Sequence, residues 1–441
     1  MPAPALDRRP IKTRDLDQRE LYKVIPHYLA FIGYRRIARD KSDSFGVVDP
    51  NVNPYSMGAG NPPPALTGRE AQEQQFRTLL ARLRGGLSDR SMILSGLRGV
   101  GKTVLLLEFE SIAKDAGWTA PRPFEIKSDT NFRSELADAA YQALLQLSAR
   151  KALGDRLKAF TGLLRGFKVG ASSDGSVEFS FDPDAISGST GDLERDLTSL
   201  FEELGQTARE HDTGVVFLID EMQFLARDEL EAVAAAMHRM SQRKLPVALV
   251  GAGLPQLPGL MVDAKSYAER LFAYPKLGPL SEDAARQALV APAKARDVTW
   301  EDGALAQVIG ESGCYPAFIQ AYGKEAWNHA PRSPIRAGDV QGAEAIVLAE
   351  LDDEFFHVRF EKATEREREY MAAMADLGEG PYRTAEIAKR LDRRPSYTSA
   401  PRDSLIKKGL IYSPDYGQVD FTVPKFSPFM RRRYPLEAIE H

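Results

Sequence analysis

The sequence predicts a parallel α/β sheet with crossover helices, followed by a helical segment and a small basic C-terminal module. From Thr67 onward, helical patterns alternate with short apolar runs, as in strands joined by crossover helices. One of those runs leads into the glycine-rich stretch 96–103, and another ends in the acidic pair Asp220-Glu221. After Pro279 the pattern is helical until a basic stretch near the C-terminus.

At 441 residues the chain exceeds one compact core, which predicts two or three domains. Its 43% hydrophobic and 27% charged content is that of an ordinary globular protein. The net charge of −4 gives no whole-chain signature of nucleic-acid binding, so any such surface must be local. Cys314 is the only cysteine, which excludes a disulfide framework and a multi-thiolate metal centre, and the six histidines are scattered. The longest apolar runs, such as 214–219 and 246–254, fall far short of the roughly 20 residues of a membrane helix. The chain opens Met-Pro-Ala-Pro and soon turns charged, without an apolar h-region. No secretion signal is expected, and a cytoplasmic setting is.

Residues 1–63 read as an N-terminal arm and linker. The stretch 15–39 carries Leu21, Val24, Ile25, Tyr28, Leu29 and Ile32 at helical spacing, interrupted by Pro26, and 51–64 is a Gly/Asn/Pro-rich connector. Residues 64–279 form the α/β domain. It has helices over 70–83, 102–116 and 131–150 and strands over 91–95, within 118–127, and over 214–219 and 246–250. The last two are continuous apolar runs, as for strands buried on both faces. An insertion near 167–181 reads as a β-hairpin around Ser172-Ser173-Asp174-Gly175, with 186–191 as a following loop. Residues 280–360 read as a helical lid with helices over 282–290, 302–311, 317–328 and 340–356. Residues 361–441 read as a winged helix-turn-helix. A capping box at Thr364 and Glu367 opens its first helix. A helix over 384–391, a turn at Arg393-Arg394-Pro395, a recognition helix over 399–408 and a hairpin of 410–412 with 419–423 follow.

Gly96-Leu97-Arg98-Gly99-Val100-Gly101-Lys102-Thr103 fits G-x-x-x-x-G-K-[ST], between an apolar strand and a helix beginning Val104. Glycines let the backbone curl so that its N–H groups converge on phosphate oxygens, and the helix adds its positive end. Lys102 then reaches the β- and γ-phosphates of ATP, and the Thr103 hydroxyl binds Mg²⁺. The strand ending in Asp220-Glu221 supplies the acids: Asp220 for Mg²⁺, Glu221 to polarise the attacking water. An acidic pair after a strand is by itself often a solvated turn; with the glycine loop it reads as part of an α/β P-loop NTPase.

These residues resemble the AAA+ ATPases, in the branch of origin-recognition-type initiators and the related STAND ATPases. The resemblance spans about 64–433, and it implies several further roles. Leu66-Thr67-Gly68-Arg69-Glu70 looks like the Gly-Arg-Glu signature that lies near the adenine, which points to Gly68 and Arg69. The loop 96–103 and the strand 217–221 are similar to Walker A and Walker B. Ser266-Tyr267-Ala268-Glu269-Arg270-Leu271-Phe272 resembles the segment that often carries an arginine finger, so Arg270 is the candidate; it reads equally as a surface arginine. Gly313-Cys314-Tyr315-Pro316 resembles the Gly-x-Pro element of a lid helix near the nucleotide, with one extra residue, which points to Pro316. Two departures suggest slow hydrolysis. The strand that usually ends in a polar sensor runs instead into Gly251-Ala252-Gly253-Leu254, with Gln256 the nearest polar residue. No arginine stands at the usual lid sensor position.

The initiator branch carries a winged helix at its C-terminal end. Between residues 383 and 433 twelve basic side chains face five acidic ones, a local +7 in a chain of −4. Such an excess suits phosphate contacts, with Arg393, Arg394, Arg402, Lys407 and Lys408 as the DNA-facing candidates. The combined reading is an ATP·Mg²⁺-dependent switch that hydrolyses slowly, assembles as a homo-oligomer and acts on DNA. One alternative is a STAND-type signalling ATPase whose winged helix is a protein-interaction or autoinhibitory module. Another is a non-hydrolysing DNA adaptor.

Overall fold

Five short runs pair side by side into one parallel sheet: β1 (Ser91–Ser95), β2 (Phe124–Glu125), β5 (Val215–Asp220), β6 (Val247–Gly253) and β7 (Phe272–Ala273). Their order is β2-β5-β6-β1-β7, with Met92 beside Val250 and Phe217 beside Leu249. The computed structural model describes residues 46–58, 65–127, 130–148, 167–171, 177–181 and 192–436. The helix expected over 15–39, the turn at 172–175 and the loop at 186–191 lie outside the described residues. The chain divides into two units, Met1–Val47 and Val48–His441, and the sheet, lid and C-terminal module all belong to the second.

Side chains alternate across a strand, so each strand serves two cores. Met92, Leu94, Val216, Leu218 and Val250 face one of them, with helices α1 (Glu70–Arg84) and α2 (Lys102–Asp115). The Phe76 and Phe109 rings of these two helices stack at 4.3 Å. Ile93, Val215, Phe217, Ile219 and Leu249 face the other, under α3 (Phe132–Ser148), α4 (Leu193–Glu210) and α5 (Arg227–Arg243). Both central strands are buried throughout, as their unbroken apolar runs predict. The insertion forms an antiparallel hairpin of β3 (Phe167–Ala171) and β4 (Val177–Phe181).

Two short helices, α6 (Leu257–Ala264) and α7 (Ala268–Leu271), lead to β7. The lid then packs α8 (Glu282–Lys294), α9 (Asp302–Ser312), α10 (Pro316–His329) and α11 (Ala337–Glu350). The helix expected over 340–356 changes character at its end. A π-helical turn, Leu351–His357, replaces the last α turns and passes into α12 (Val358–Phe360). Its i→i+5 spacing stacks the buried Leu351 and Phe356 on one face, which α spacing would separate. Phe356 contacts Phe318 of α10 on one side and Phe426 and Phe429 on the other.

The C-terminal module runs α13 (Glu365–Asp376), β8 (Tyr382–Arg383), α14 (Thr384–Arg390), α15 (Pro395–Lys407), β9 (Ile411–Tyr412), β10 (Gln418–Phe421) and α16 (Phe426–Arg433). Its three strands pair antiparallel in the order β8-β10-β9. Strand β8 and helix α16 were not expected. The helix read as 399–408 starts earlier: Pro395 opens it, at a position where a missing N–H costs nothing. One hydrophobic core continues from the sheet through the lid into this module.

Residues 48–58, which the sequence suggested were arm and connector, lie across the lid. Tyr55 is buried edge-on between Trp300 and Trp327, with ring centroids 6.2 and 6.1 Å away. Its hydroxyl donates to the Leu289 carbonyl and accepts from Trp300 Nε1 at 3.1 Å. Trp327 Nε1 donates to the Asp49 carbonyl at 2.9 Å, and Asn53 Nδ2 to the Lys324 carbonyl at 2.9 Å. Tyr55→Phe leaves the buried Trp300 indole N–H without its acceptor, a cost of about 1–3 kcal/mol. Tyr55→Ala adds a cavity and costs about 3–5 kcal/mol. Thermal or denaturant unfolding of the full chain checks that order.

Candidate active site

The glycine loop joins the end of β1 to the start of α2, tethered from both sides. Ser95 N donates to the Pro275 carbonyl at 3.0 Å and Gly96 N to the Gly253 carbonyl at 3.1 Å. Gly99 and Gly101 take φ of +83° and +92°, a region glycine enters without steric cost. Gly101 is also the N-cap of α2 and offers no capping side chain, so the first-turn N–H groups remain available to an anion.

Lys102 is buried and folds back over the loop, its Nζ donating to the Gly96 and Leu97 carbonyls at 2.9 and 3.0 Å. Burial pushes its ammonium below the ordinary lysine value, against the pull of Glu221 and Asp220. Thr103 Oγ1 donates to Asp220 Oδ2 at 2.5 Å. Burial raises the Asp220 pKa, which that hydrogen bond opposes. A hydroxyl and a carboxylate converging beside the loop amides form a hard-oxygen pair suited to Mg²⁺. Among the described residues no group of three or more His, Cys, Asp or Glu converges, so a cation here would rely on Thr103, Asp220 and phosphate oxygens.

Glu221 sits in the left-handed region at φ 55, a strained backbone of the kind concentrated at functional sites. Both its oxygens are engaged. Arg98 Nη1 and Nη2 meet Oε1 and Oε2 at 3.2 Å each, and Gln223 Nε2 donates to Oε2. Gln223 Oε1 in turn accepts from Leu254 N at 3.0 Å. This explains the glycines where a polar sensor was expected: a Cβ on Gly253 would lie 2.5 Å from Gln223 Oε1. Gln223 fills that space from the neighbouring strand's turn, and no sequence signal pointed to it. Gln256, the polar residue singled out instead, caps α6, with its Oε1 buried and unpaired.

Other walls close on the loop. Arg69 is buried, and its Nη2 donates to the Val100 carbonyl at 3.1 Å and the Gly278 carbonyl at 2.7 Å. Gly68, beside it, is tied by its N–H to Glu70 Oε1 at 2.8 Å. From the lid, Pro316 opens α10, Ala317 N donates to the Gly99 carbonyl at 3.2 Å, and the Tyr315 hydroxyl donates to the Arg98 carbonyl at 2.5 Å. From the C-terminal module, the Thr422 carbonyl accepts from Arg98 N at 3.0 Å and the Gly409 carbonyl from Arg98 Nε at 3.3 Å. Arg359, a second residue that sequence reasoning missed, lies over the Phe355 ring at 4.5 Å, and its field reaches Arg98, Glu221 and Tyr315. Burial, then Arg98, pushes its pKa down to about 10. No sequence pattern marked it, because it follows the π-helical turn. Leu97, Val100 and Val104 belong to the loop and to the start of α2; Arg270 lies exposed on α7.

Several basic residues of the module are paired within the fold. Lys408 is turned inward, donating to Glu367 Oε2 at 2.7 Å and the Lys362 carbonyl at 2.9 Å. Arg402 pairs with Asp403 at 2.7 Å, Arg431 donates to the Ala375 carbonyl at 2.7 Å, and Arg432 meets Asp352 at 2.7 Å. Arg393, Arg394 and Lys407 are exposed. Tyr397, 38% exposed at the start of α15, has the Arg366 and Arg393 guanidinium groups each 5.4 Å from its ring.

Lys102→Ala removes the buried ammonium and should weaken binding of a fluorescent ATP analogue at least tenfold, while Thr103→Ala should mainly reduce the gain from added Mg²⁺. Equilibrium titration with and without Mg²⁺ separates the two.

Residues 65–250 match the AAA ATPase domain, and residues 353–430 match a domain of unknown function, DUF8462. No curated protein matches the sequence. The fold is similar to the Walker-type ATPase PABY2304 of Pyrococcus abyssi, at 16% identity and a TM-score of 0.50 over 83% of this chain and 96% of that one. Fainter likenesses, both at 0.41–0.42, are to Aeropyrum pernix ORC1 solved in complex with DNA (16% identity, 87% and 97% covered) and to the Thermotoga maritima RuvB Holliday junction branch migration motor (17%, 84% and 96%). The parallel sheet, its glycine loop and the domain match agree: residues 65–250 of this chain match the AAA ATPase domain and carry a P-loop NTPase fold.

Proposed function

We propose that this chain is a Mg²⁺-dependent ATPase of low turnover, which uses the nucleotide as a conformational and assembly switch and acts on DNA through a C-terminal winged helix. The observation that carries the ATPase reading is the convergence of Lys102, the Thr103–Asp220 pair and Glu221 on one glycine loop. The loop amides and Lys102 bind the β- and γ-phosphates. Thr103 and Asp220 would hold the Mg²⁺ ion, which would supply positive charge to offset that of the phosphates. Glu221 orients the attacking water and accepts its proton, and Gln223 holds that carboxylate in place. Gly68, Arg69 and Pro316 frame the base side of the site. Arg270, exposed on α7, serves as an arginine finger toward a neighbouring copy, which makes the hydrolysing form a homo-oligomer. The engagement of both Glu221 oxygens supports slow turnover.

Helix, strand, helix, helix and hairpin, in the order α13-β8-α14-α15-β9-β10, support the winged-helix reading. Arg393 and Arg394, with Tyr397 between arginines, put exposed cations and a stacking ring at the start of α15. One observation favours a second reading, in which the module is an autoinhibitory clamp: Thr422 and Gly409 bind the glycine loop directly.

Glu221→Gln should lower kcat about 10²–10⁴-fold with ATP binding retained, the range for losing a general base. Unchanged phosphate release would leave a non-hydrolysing nucleotide adaptor. Replacing Arg393 and Arg394 by Ala should weaken duplex binding across sequences and reduce its salt slope by roughly 1 for each phosphate interaction removed. DNA binding that is absent, or indifferent to salt, leaves the clamp.

A further inference from the structure

We propose that Arg98 is a positioning residue that ties the seat of the C-terminal module to the availability of Glu221, so that hydrolysis waits for the module to lift. The inference rests on the ATPase reading above and deepens it. Arg98 engages three parts of the molecule at once. Its N–H and Nε bind the Thr422 and Gly409 carbonyls at 3.0 and 3.3 Å, its carbonyl accepts from the Tyr315 hydroxyl at 2.5 Å, and its fork grips Glu221 at 3.2 Å on both oxygens.

The two acceptors on the module move together. Thr422 Oγ1 donates to the Gly409 carbonyl at 2.8 Å, and Thr422 N to the Leu410 carbonyl at 3.1 Å, with the Thr422 side chain fully buried. Lifting the base of the hairpin therefore removes both anchors from Arg98. With the module seated, the guanidinium is fixed where it occupies both carboxylate oxygens. The two side chains are only 22% and 13% exposed, so water screens this bidentate pair poorly. The seated module also takes the Arg98 amide, which lies within the phosphate-binding loop. With the module lifted, Arg98 is free to turn to an anion, and Glu221 keeps its Gln223 contact but regains an unpaired oxygen. The fit is close: a Cβ on Gly409, which has φ +64°, would lie 2.8 Å from Arg98 Nη2.

The full chain tests this with Arg98→Ala and Gly409→Asn. Asparagine tolerates the left-handed backbone, so the second variant displaces the guanidinium without changing the glycine loop. Three quantities are measured: kcat at saturating Mg·ATP, affinity for a fluorescent ATP analogue, and amide exchange of the 409–423 peptide without nucleotide. Both variants are expected to raise kcat roughly tenfold, as removing a charge-assisted hydrogen bond predicts, and Gly409→Asn, which leaves the glycine loop unchanged, to keep nucleotide affinity within about threefold. Exchange across 409–423 should be faster in both, since the guanidinium no longer holds the Gly409 carbonyl and only the residue-98 N–H still reaches Thr422. Normal nucleotide binding with kcat unchanged or lower, or with unchanged exchange, overturns the proposal. If Arg98→Ala does not fold, Gly409→Asn decides alone. Wild type that binds no nucleotide, or binds it no better than Lys102→Ala, overturns the ATPase reading instead.

Discussion

A glycine loop whose amides turn inward must have its carbonyls and its path fixed by something else, and much of this molecule meets that constraint. Lys102 takes the Gly96 and Leu97 carbonyls, Tyr315 the Arg98 carbonyl, Ala317 N the Gly99 carbonyl and Arg69 the Val100 carbonyl. Those donors come from α2, from the N-cap and first turn of α10 and from the N-cap of α1. The loop is therefore shaped by residues from 69 to 317, and its geometry exists only when sheet and lid are both in place. An unpaired buried carbonyl costs more than a hydrogen bond gains, which makes this arrangement cooperative rather than ornamental.

The same constraint governs the charges. Lys102, Asp220, Glu221 and Arg98 lie within one poorly solvated region, where a lone charge is strongly disfavoured and a paired one is tolerable. Each is compensated: ammonium by carbonyls, Asp220 by a hydroxyl, Glu221 by a guanidinium and an amide. Because the compensation is internal, an arriving polyanion competes with existing partners rather than filling bare charge.

The distribution of aromatic rings explains how the far end of the chain reaches the site. Phe318 on α10, Phe356 in the π-helical turn and Phe426 and Phe429 on α16 touch in sequence. They anchor the C-terminal module to the lid through a shared core, while the hairpin base at Gly409 and Thr422 rests on the glycine loop. The basic face of the module was legible as composition. Which of its cations are paired within the fold was not, because Lys408 and Arg432 find their carboxylates 41 and 80 residues away.

The parallel α/β fold, the glycine loop, the acidic strand end and the helical lid were legible in the sequence alone. Each is written in local patterns: strand burial in continuous apolar runs, the loop in the spacing of Gly96, Gly99, Gly101 and Lys102, and the lid in helical periodicity. Other features arise only when the chain folds. Gln223 replaces a side chain at Gly253 because two strands end side by side; Arg359 nears the site only through a π-helical turn. Residues 48–58 became part of the lid because Tyr55 fits between two tryptophans. Arg98 and Glu221 meet across 123 residues, and Arg98 and Gly409 across 311. Local pattern carries no information about such pairs, since what joins them is close packing, a property of the assembled core and not of any stretch of chain.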